Sequence, residues 1–240
     1  MSERQKNVIE MFDGIAPQYD RLNHLLSFGI DRRWRHKTSR LVARWHPAKI
    51  LDVATGTADL AIQLALDLPQ AEIIGIDLSE KMMDLGLEKI AARHLASHIH
   101  LECGDACDLP FPDDSFDAVT VAFGLRNFSD MERGLQEMVR VCRPLGLVVV
   151  LEFSHPTLAI VRIPYLWYSR RLIPRIGRSL SGHPHAYRYL PSSIEAFPSA
   201  AEVANKLSQA GLNDLRSIRL SGGIATIHYG IAAKNQKSSQ

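Results

Sequence analysis

The stretch Leu51-Asp52-Val53-Ala54-Thr55-Gly56-Thr57-Ala58-Asp59, followed by Ile73-Ile74-Gly75-Ile76-Asp77-Leu78-Ser79, leaves few folds open to this chain. It reads as a buried strand, a tight turn with one glycine, a helix, and a second strand ending in an acid. That is the first half of a nucleotide-binding α/β fold. Asp77 stands about 20 residues beyond the turn, where a carboxylate accepts hydrogen bonds from both hydroxyls of a ribose. A dinucleotide pyrophosphate needs several glycines, so that backbone N–H groups can approach it. Here Gly56 is alone, Ala54 and Ala58 stand where further glycines would serve, and Asp52 and Asp59 flank the turn. Paired carboxylates repel a phosphate and favour a cation. S-adenosylmethionine meets these terms, with a ribose, an adenine, a sulfonium and an amino group but no phosphate. Taken alone, the turn also admits a bland but less favoured explanation, an ordinary strand–helix junction with a chance acid.

The rest of the chain extends the pattern. Strands are predicted at about 49–53, 73–77, 99–102, 117–122 and 146–152, with helices at about 58–67, 80–95 and 131–142 between them. A helix at about 199–210 and strands near 214–220 and 224–232 close the sheet, the last of them antiparallel. The expected fold class is α/β, a doubly wound, mostly parallel seven-stranded sheet. Ligands of such sheets sit at the carboxyl ends of the strands. The tips to read are therefore Asp52–Ala58, Asp77–Leu78, Gly104-Asp105-Ala106 and Ala122-Phe123-Gly124-Leu125-Arg126-Asn127. A carboxylate at Asp105 can take the adenine amine. Arg126 and Asn127 are polar groups at a strand end facing the transferred group. The plain alternative for Arg126 is an ion pair with a neighbouring acid such as Asp130.

Two segments lie outside this alternation. Residues 1–45 precede the first strand, hold an apolar helical pattern at Val8, Ile9 and Phe12, and end in the basic run Arg32, Arg33, Trp34, Arg35 and Lys37. They read as a helical cap. Residues 154–194 carry six arginines (Arg162, Arg170, Arg171, Arg175, Arg178 and Arg188) and no acid, interleaved with aromatic and aliphatic side chains and cut by Pro164, Pro174 and Pro184. The whole chain is only +2, so its remainder is net negative and this segment holds the positive field. It suits an anionic bilayer surface, or equally a lid with its apolar side on the site and its arginines in water. We expect one domain over 1–240, with 1–45 as cap and 154–194 as lid.

A net charge of +2 is too small to argue for nucleic acid. The three cysteines, Cys103, Cys107 and Cys142, form no disulfide framework and suit a reducing cytoplasm. Their spacing from His94, His98 and His100 matches no common zinc pattern, so buried thiols are expected and no metal. Met1–Glu10 lack an apolar signal core, and no run of about 18 apolar residues exists to span a membrane.

The segment Met11-Phe12-Asp13-Gly14-Ile15-Ala16-Pro17-Gln18-Tyr19-Asp20-Arg21-Leu22-Asn23, with Ser27-Phe28-Gly29-Ile30-Asp31-Arg32-Arg33-Trp34, resembles one family above others. So do Phe123-Gly124-Leu125-Arg126-Asn127 and Tyr187-Arg188-Tyr189-Leu190-Pro191-Ser192-Ser193-Ile194. It is the quinone-biosynthesis C-methyltransferase family of class I S-adenosylmethionine enzymes, whose fold is Rossmann-like. The resemblance covers nearly the whole length. It implies C-methylation of demethylmenaquinol to menaquinol. A ubiquinol precursor (2-methoxy-6-polyprenyl-1,4-benzoquinol), as an added or sole substrate, is the alternative, followed by a non-quinone small molecule. It assigns cofactor contacts to Thr57, Asp77, Asp105 and Ala106; together with Asp52 and Gly56 of the turn these are the expected S-adenosylmethionine residues. Arg126 and Asn127 are the expected catalytic residues, Arg126 against a developing phenolate and Asn127 on the hydroxyl or on Arg126. Thr55 and Ala58 replace frequent glycines of the family, Asp105 a frequent Asn, and Ala122 an occasional Ser. Base-methylating families carry Asn/Asp-Pro-Pro-aromatic where this chain has Phe123-Gly124-Leu125-Arg126, which argues against RNA; a binding scaffold without catalysis is the non-enzymatic alternative. The implied partner is a prenylated quinol, met at the inner face of the cell membrane from the cytoplasm. Oligomerisation stays open.

Overall fold

The computed structural model describes residues 3–156, 158–168, 171 and 184–233. The chain builds α1 (Glu3–Leu26), α2 (Ile30–Ala43), β1 (Lys49–Val53), α3 (Asp59–Asp67), β2 (Glu72–Asp77), α4 (Glu80–Ala91), β3 (Ile99–Cys103) and β4 (Phe116–Ala122). A 3-10 turn at Leu125–Asn127 leads to α5 (Met131–Val141), β5 (Cys142–Phe153), α6 (Ala159–Trp167), α7 (Pro184–Glu195), α8 (Ala200–Gln209), β6 (Leu212–Leu220) and β7 (Ala225–Ala232). The sheet has seven strands in the order β3-β2-β1-β4-β5-β7-β6. β7 alone runs against its neighbours, antiparallel to both β5 and β6. The strand order turns back between β1 and β4, so the crevice opens at their carboxyl ends.

Period-two alternation explains the two layers. Leu51, Val53, Val119, Val121, Val148 and Val150 bury one face of the sheet. Ile50, Ala118, Leu147, Val149 and Leu151 bury the other. A strand covered on both faces is largely apolar, which is why β1, β4 and β5 are rich in hydrophobic residues, and it makes their buried Asp52, Thr120 and Glu152 stand out.

Helix starts follow their caps. Ser79 accepts the Met82 N–H at α4, Asp130 accepts the Arg133 N–H at α5, and Ser199 and Glu202 form a capping box at α8. α4 stops at Ala91, earlier than periodicity alone predicts, because the chain turns through His94 at φ 58. β5 begins four residues before its predicted start, since Leu145 at φ 65 and a register shift opposite β4 let the strand resume across a bulge.

α1 runs through Pro17 without a break. Phe28 and Gly29, at φ 53 and 71, then turn the chain into α2. In the 154–194 segment, Pro164 lies inside α6 and does not break it as the sequence suggests, whereas Pro184 is the first residue of α7. Pro174, Arg170, Arg175 and Arg178 lie outside the described residues. Cys107 and Cys142 are buried as expected, but Cys103 is exposed, because it ends β3 on the sheet's outer strand.

Candidate functional site

The β1–α3 turn is built under backbone strain. Ala54, Gly56 and Ala58 all take positive φ, at 51, 56 and 62. The positions read from sequence as wanting glycine are therefore left-handed ones, held here by alanine at about 1–2 kcal/mol per residue. A Cβ on Gly124 would come within 2.5 Å of Ala54 Cβ, so the β4 tip needs glycine to lie against this turn.

Two cavities open here. The first is lined by Asp52, Gly56, Thr57, Asp77, Asp105 and Ala106, which brings every predicted cofactor residue to one wall. Asp77 accepts the Gly56 N–H at 2.8 Å and the Ser79 N–H at 2.9 Å. Burial pushes its carboxyl up, against the pull of these N–H groups. Asp105 accepts the Cys107 N–H at 2.9 Å and the Gln5 side-chain amide at 2.7 Å. Gln5 thus puts an amide donor on the carboxylate expected to meet an exocyclic amine. Thr57 is buried, and its hydroxyl donates to Asp20 at 2.6 Å and accepts from Lys89 at 3.1 Å. Asp59 is also on this wall, and Arg35 is the basic residue among those lining it. Such a wall fits a cationic ligand without phosphate, since a pyrophosphate would meet carboxylates. S-adenosylmethionine fits the residues present.

Asp52 is 2% exposed and held by the hydroxyls of Thr120 at 2.7 Å and Thr55 at 2.8 Å. Burial outweighs these bonds and pushes its carboxyl up to about 6. A cation nearby favours the ionised form, so binding should release a proton when the free protein holds Asp52 protonated. Affinity for S-adenosylmethionine is therefore expected to strengthen several-fold as pH rises from about 5 to about 7. Calorimetry on the native protein and on Asp52→Asn checks this. An equal pH slope in the variant would remove Asp52 as the cause.

The second cavity is larger, about 400 Å³, and walled mainly by hydrocarbon and rings, Trp34, Phe123, Phe153, Tyr165 and Tyr168 among them. Tyr19, Arg35 and Phe123 border both cavities, so the two meet there. Burial raises the Tyr19 hydroxyl, which the nearby Arg126 and Arg35 pull back.

The two predicted catalytic residues part company. Arg126 faces the second cavity, whereas Asn127 faces the first. The Asn127 amide oxygen accepts the Tyr189 hydroxyl at 2.9 Å and so ties the 3-10 turn to α7. It does not hold Arg126. That task falls to Glu152, which is 1% exposed and accepts Arg126 Nη1 at 2.8 Å. Asp130 is engaged as the α5 cap, so the alternative of an Arg126–Asp130 pair is not what forms. Arg126 Nε is buried without a partner among the described residues.

Asp31, Arg35, Asp59, Lys89, Asp20 and His24 form a charge network that fastens α1 to α2, α3 and α4. Arg35 reaches Asp31 at 2.5 Å, Lys89 reaches Asp20 at 2.6 Å and also Asp59, and His24 Nδ1 meets Asp31 at 2.7 Å. Desolvation opposes the charge of Arg35, but Asp59 and Asp31 outweigh it and hold its guanidinium above its ordinary value. Sequence reasoning missed Glu152 and Arg35. Glu152 carried a signal, an acid inside the apolar run Leu147–Phe153. Arg35 carried none, standing among Arg32 and Arg33 on one basic helix.

Residues 1–232 match the model of the ubiE/COQ5 methyltransferase family. A demethylmenaquinone methyltransferase of Bacteroides fragilis is 42% identical over 226 residues, 94% of this chain and 92% of that protein. A ubiquinone/menaquinone biosynthesis C-methyltransferase of Geobacter sulfurreducens is 42% identical over 231 residues, 96% and 90% of the two chains. Among solved structures, a SAM-dependent methyltransferase of Thermotoga maritima superposes with a TM-score of 0.61 at 16% identity, covering 93% of this chain and 99% of that one. One from Aquifex aeolicus gives 0.57 at 20% identity, covering 78% and 82%. At these identities the structures speak for the fold.

Proposed function

The chain belongs to the ubiE/COQ5 methyltransferase family, and from that premise we propose that it transfers a methyl group from S-adenosylmethionine to a ring carbon of a prenylated demethylmenaquinol, giving menaquinol. One observation carries the choice of acceptor: a nearly buried guanidinium, held at Nη1 by Glu152, lines an aromatic-walled cavity beside an acid-walled one. S-adenosylmethionine, when bound, supplies an electrophilic methyl group. Asp77 and Asp105 hold its ribose and adenine, and Asp52, Gly56, Thr57 and Ala106 complete the wall. Arg126 does the work on the acceptor. A phenol with a pKa near about 10 is a poor carbon nucleophile until its oxygen loses or shares its proton. The Arg126 guanidinium donates to that oxygen and stabilises the charge as it develops. A guanidinium is not a base at neutral pH, so another group or water takes the proton. Asn127 lies across the turn on the donor side, where it orients the groups that meet. Trp34, Phe123 and Phe153 exclude water, and in-line placement supplies effective molarity.

The test is incubation with methyl-labelled S-adenosylmethionine and, separately, reduced short-chain demethylmenaquinone and the prenylated methoxybenzoquinol. Label in the naphthoquinol establishes the reading, and label in the benzoquinol alone replaces it. The Geobacter sulfurreducens relative is named for both quinones, which favours testing both.

The same reading treats 1–240 as one domain whose cap (1–45) and lid (154–194) close a single site at the cytoplasmic face of the membrane. No helix of the described residues is long and apolar enough to cross a bilayer. Phe28, Leu158, Ile160, Ile163 and Trp167 are between 61% and 83% exposed, and Phe28 lies 5.6 Å from the ring of Tyr168, at the second cavity. Exposed apolar side chains beside an arginine-rich segment suit an interfacial contact that delivers a lipid-borne ring. Binding to anionic vesicles should fall with added salt and when Arg170, Arg171 and Arg175 are neutralised, by about 1 kcal/mol per residue. Co-sedimentation measures it, and equal binding to neutral vesicles would leave the segment as a lid only.

A further inference from the structure

Glu152 lies behind the second cavity and touches it through Arg126. It is an acid in the middle of the sheet, 1% exposed, at the end of β5 where every neighbour in the strand is apolar. A lone buried carboxylate is costly, and replacing a buried ion pair by hydrocarbon is often neutral or stabilising. Its contacts are specific. Oε1 accepts Arg126 Nη1 at 2.8 Å and the Phe153 N–H at 2.8 Å. Oε2 accepts the Arg126 backbone N–H at 3.2 Å. Nη1 of Arg126 also donates to the Phe123 carbonyl, and the guanidinium carbon lies 5.3 Å from the centre of the Phe153 ring. Both the backbone and the head of Arg126 are thus held by one carboxylate, while Nε is left with no partner.

A guanidinium offers its donors in a rigid planar fork, so fixing one corner decides where the others point. We propose that Glu152 is the positioning residue for Arg126: by gripping Nη1 it fixes the plane of the guanidinium, so that a remaining N–H is offered to the acceptor oxygen, and by its negative charge it limits how far Arg126 lowers the pKa of the bound quinol. The inference rests on the proposed role of Arg126 toward a quinol. It adds that the pair is tuned. A bare guanidinium would ionise the quinol hydroxyl more readily but hold a weaker nucleophile, since a phenolate tightly bound to a full positive charge gives less electron density to its ring. A guanidinium paired with Glu152 shares the proton and releases the charge to the carbon.

Charge and reach are separated by two variants. In Glu152→Gln the counter-charge is gone and one acceptor oxygen remains. The rising limb of kcat against pH, which reports ionisation of the bound acceptor, is expected to move to lower pH by about one unit, with kcat at its plateau reduced about tenfold. In Glu152→Asp the charge stays but the fork is pulled aside by one methylene. There kcat is expected to fall about 10- to 100-fold with the limb unmoved. KM for S-adenosylmethionine should be unchanged in both. The ionisation is also read without turnover, from the phenolate absorbance of a short-chain prenylated 1,4-dihydroxynaphthalene bound anaerobically to each variant. A limb and an absorbance titration unmoved in Glu152→Gln would reduce Glu152 to a structural part. Should that variant fail to fold, native kcat in Glu152→Asp overturns the proposal. Wild-type protein that methylates neither quinol overturns the quinol reading itself, whereas wild-type activity with unshifted variants overturns only the role of Glu152.

Discussion

Asp77→Ala is expected to lose about 10²–10⁴-fold in affinity for S-adenosylmethionine. The carboxylate stands at the tip of β2 on the wall of the first cavity, and its orientation is set from behind. Gly56 N–H holds one oxygen at 2.8 Å and Ser79 N–H the other at 2.9 Å. Each oxygen keeps a further lone pair, so the pair can accept both ribose hydroxyls. Charge-assisted hydrogen bonds are worth about 1.5–3 kcal/mol each, and two of them give the range stated. Asp77→Asn keeps one acceptor and loses the charge, so it should fall between the native protein and the alanine variant. Because the same carboxylate also braces the Gly56 turn, the measurement is calorimetry on variants whose melting is first shown to be cooperative. An unchanged dissociation constant in the folded alanine variant would move the ribose site elsewhere.

Substituting Arg126 should act on rate and not on cofactor binding. Arg126→Lys is the cleaner variant, because its ammonium can still answer the buried Glu152. Removing the charge altogether leaves that carboxylate unpaired, which costs about 3–5 kcal/mol of stability. Lysine lacks the fork, however, and a point charge paired with Glu152 no longer presents a second donor to the acceptor oxygen. Loss of one preorganised donor lowers kcat by about 10²–10³-fold. A similar or larger loss is expected in Arg126→Ala, with S-adenosylmethionine affinity intact in both, since Arg126 does not line the first cavity. Single-turnover methylation of reduced short-chain demethylmenaquinone at saturating S-adenosylmethionine isolates the step. Near-native turnover in the lysine variant would make Arg126 a structural partner of Glu152. The search for the acceptor's partner would then pass to Tyr19 and Tyr165 on the same cavity.

The cavities also account for the charge network beneath α1. Gln5, Asp13 and Asp20 reach from that helix to Asp105, Ser79 and Thr57 at 2.7, 2.5 and 2.6 Å. Two of these three contacts fall on residues expected to hold the cofactor, and Ser79 braces the third, Asp77. The cap therefore meets the strand tips through the polar groups that a bound cofactor would use.

Local chemistry was enough to read the sheet from the chain. Periods of two and 3.6, one glycine turn and the acids at strand tips are carried by neighbours within a few residues, so β1 and β2, the antiparallel β7 and the wall of Asp52, Gly56, Thr57, Asp77, Asp105 and Ala106 were all legible. The left-handed turn was not: Ala54 and Ala58 marked only missing glycines, and the positive φ they adopt is seen in the fold alone. What no window of sequence contains is the identity of a partner brought in by the fold. Glu152 lies 26 residues from Arg126 and displaced the nearer Asp130, because β5 runs beside β4 and sets its acid under the turn that β4 feeds. The separation of Arg126 from Asn127 into two cavities has the same origin. A 3-10 turn rotates adjacent side chains by about a third of a circle, and only the packing of α1, α6 and the β5 tip around that turn decides what each of them meets.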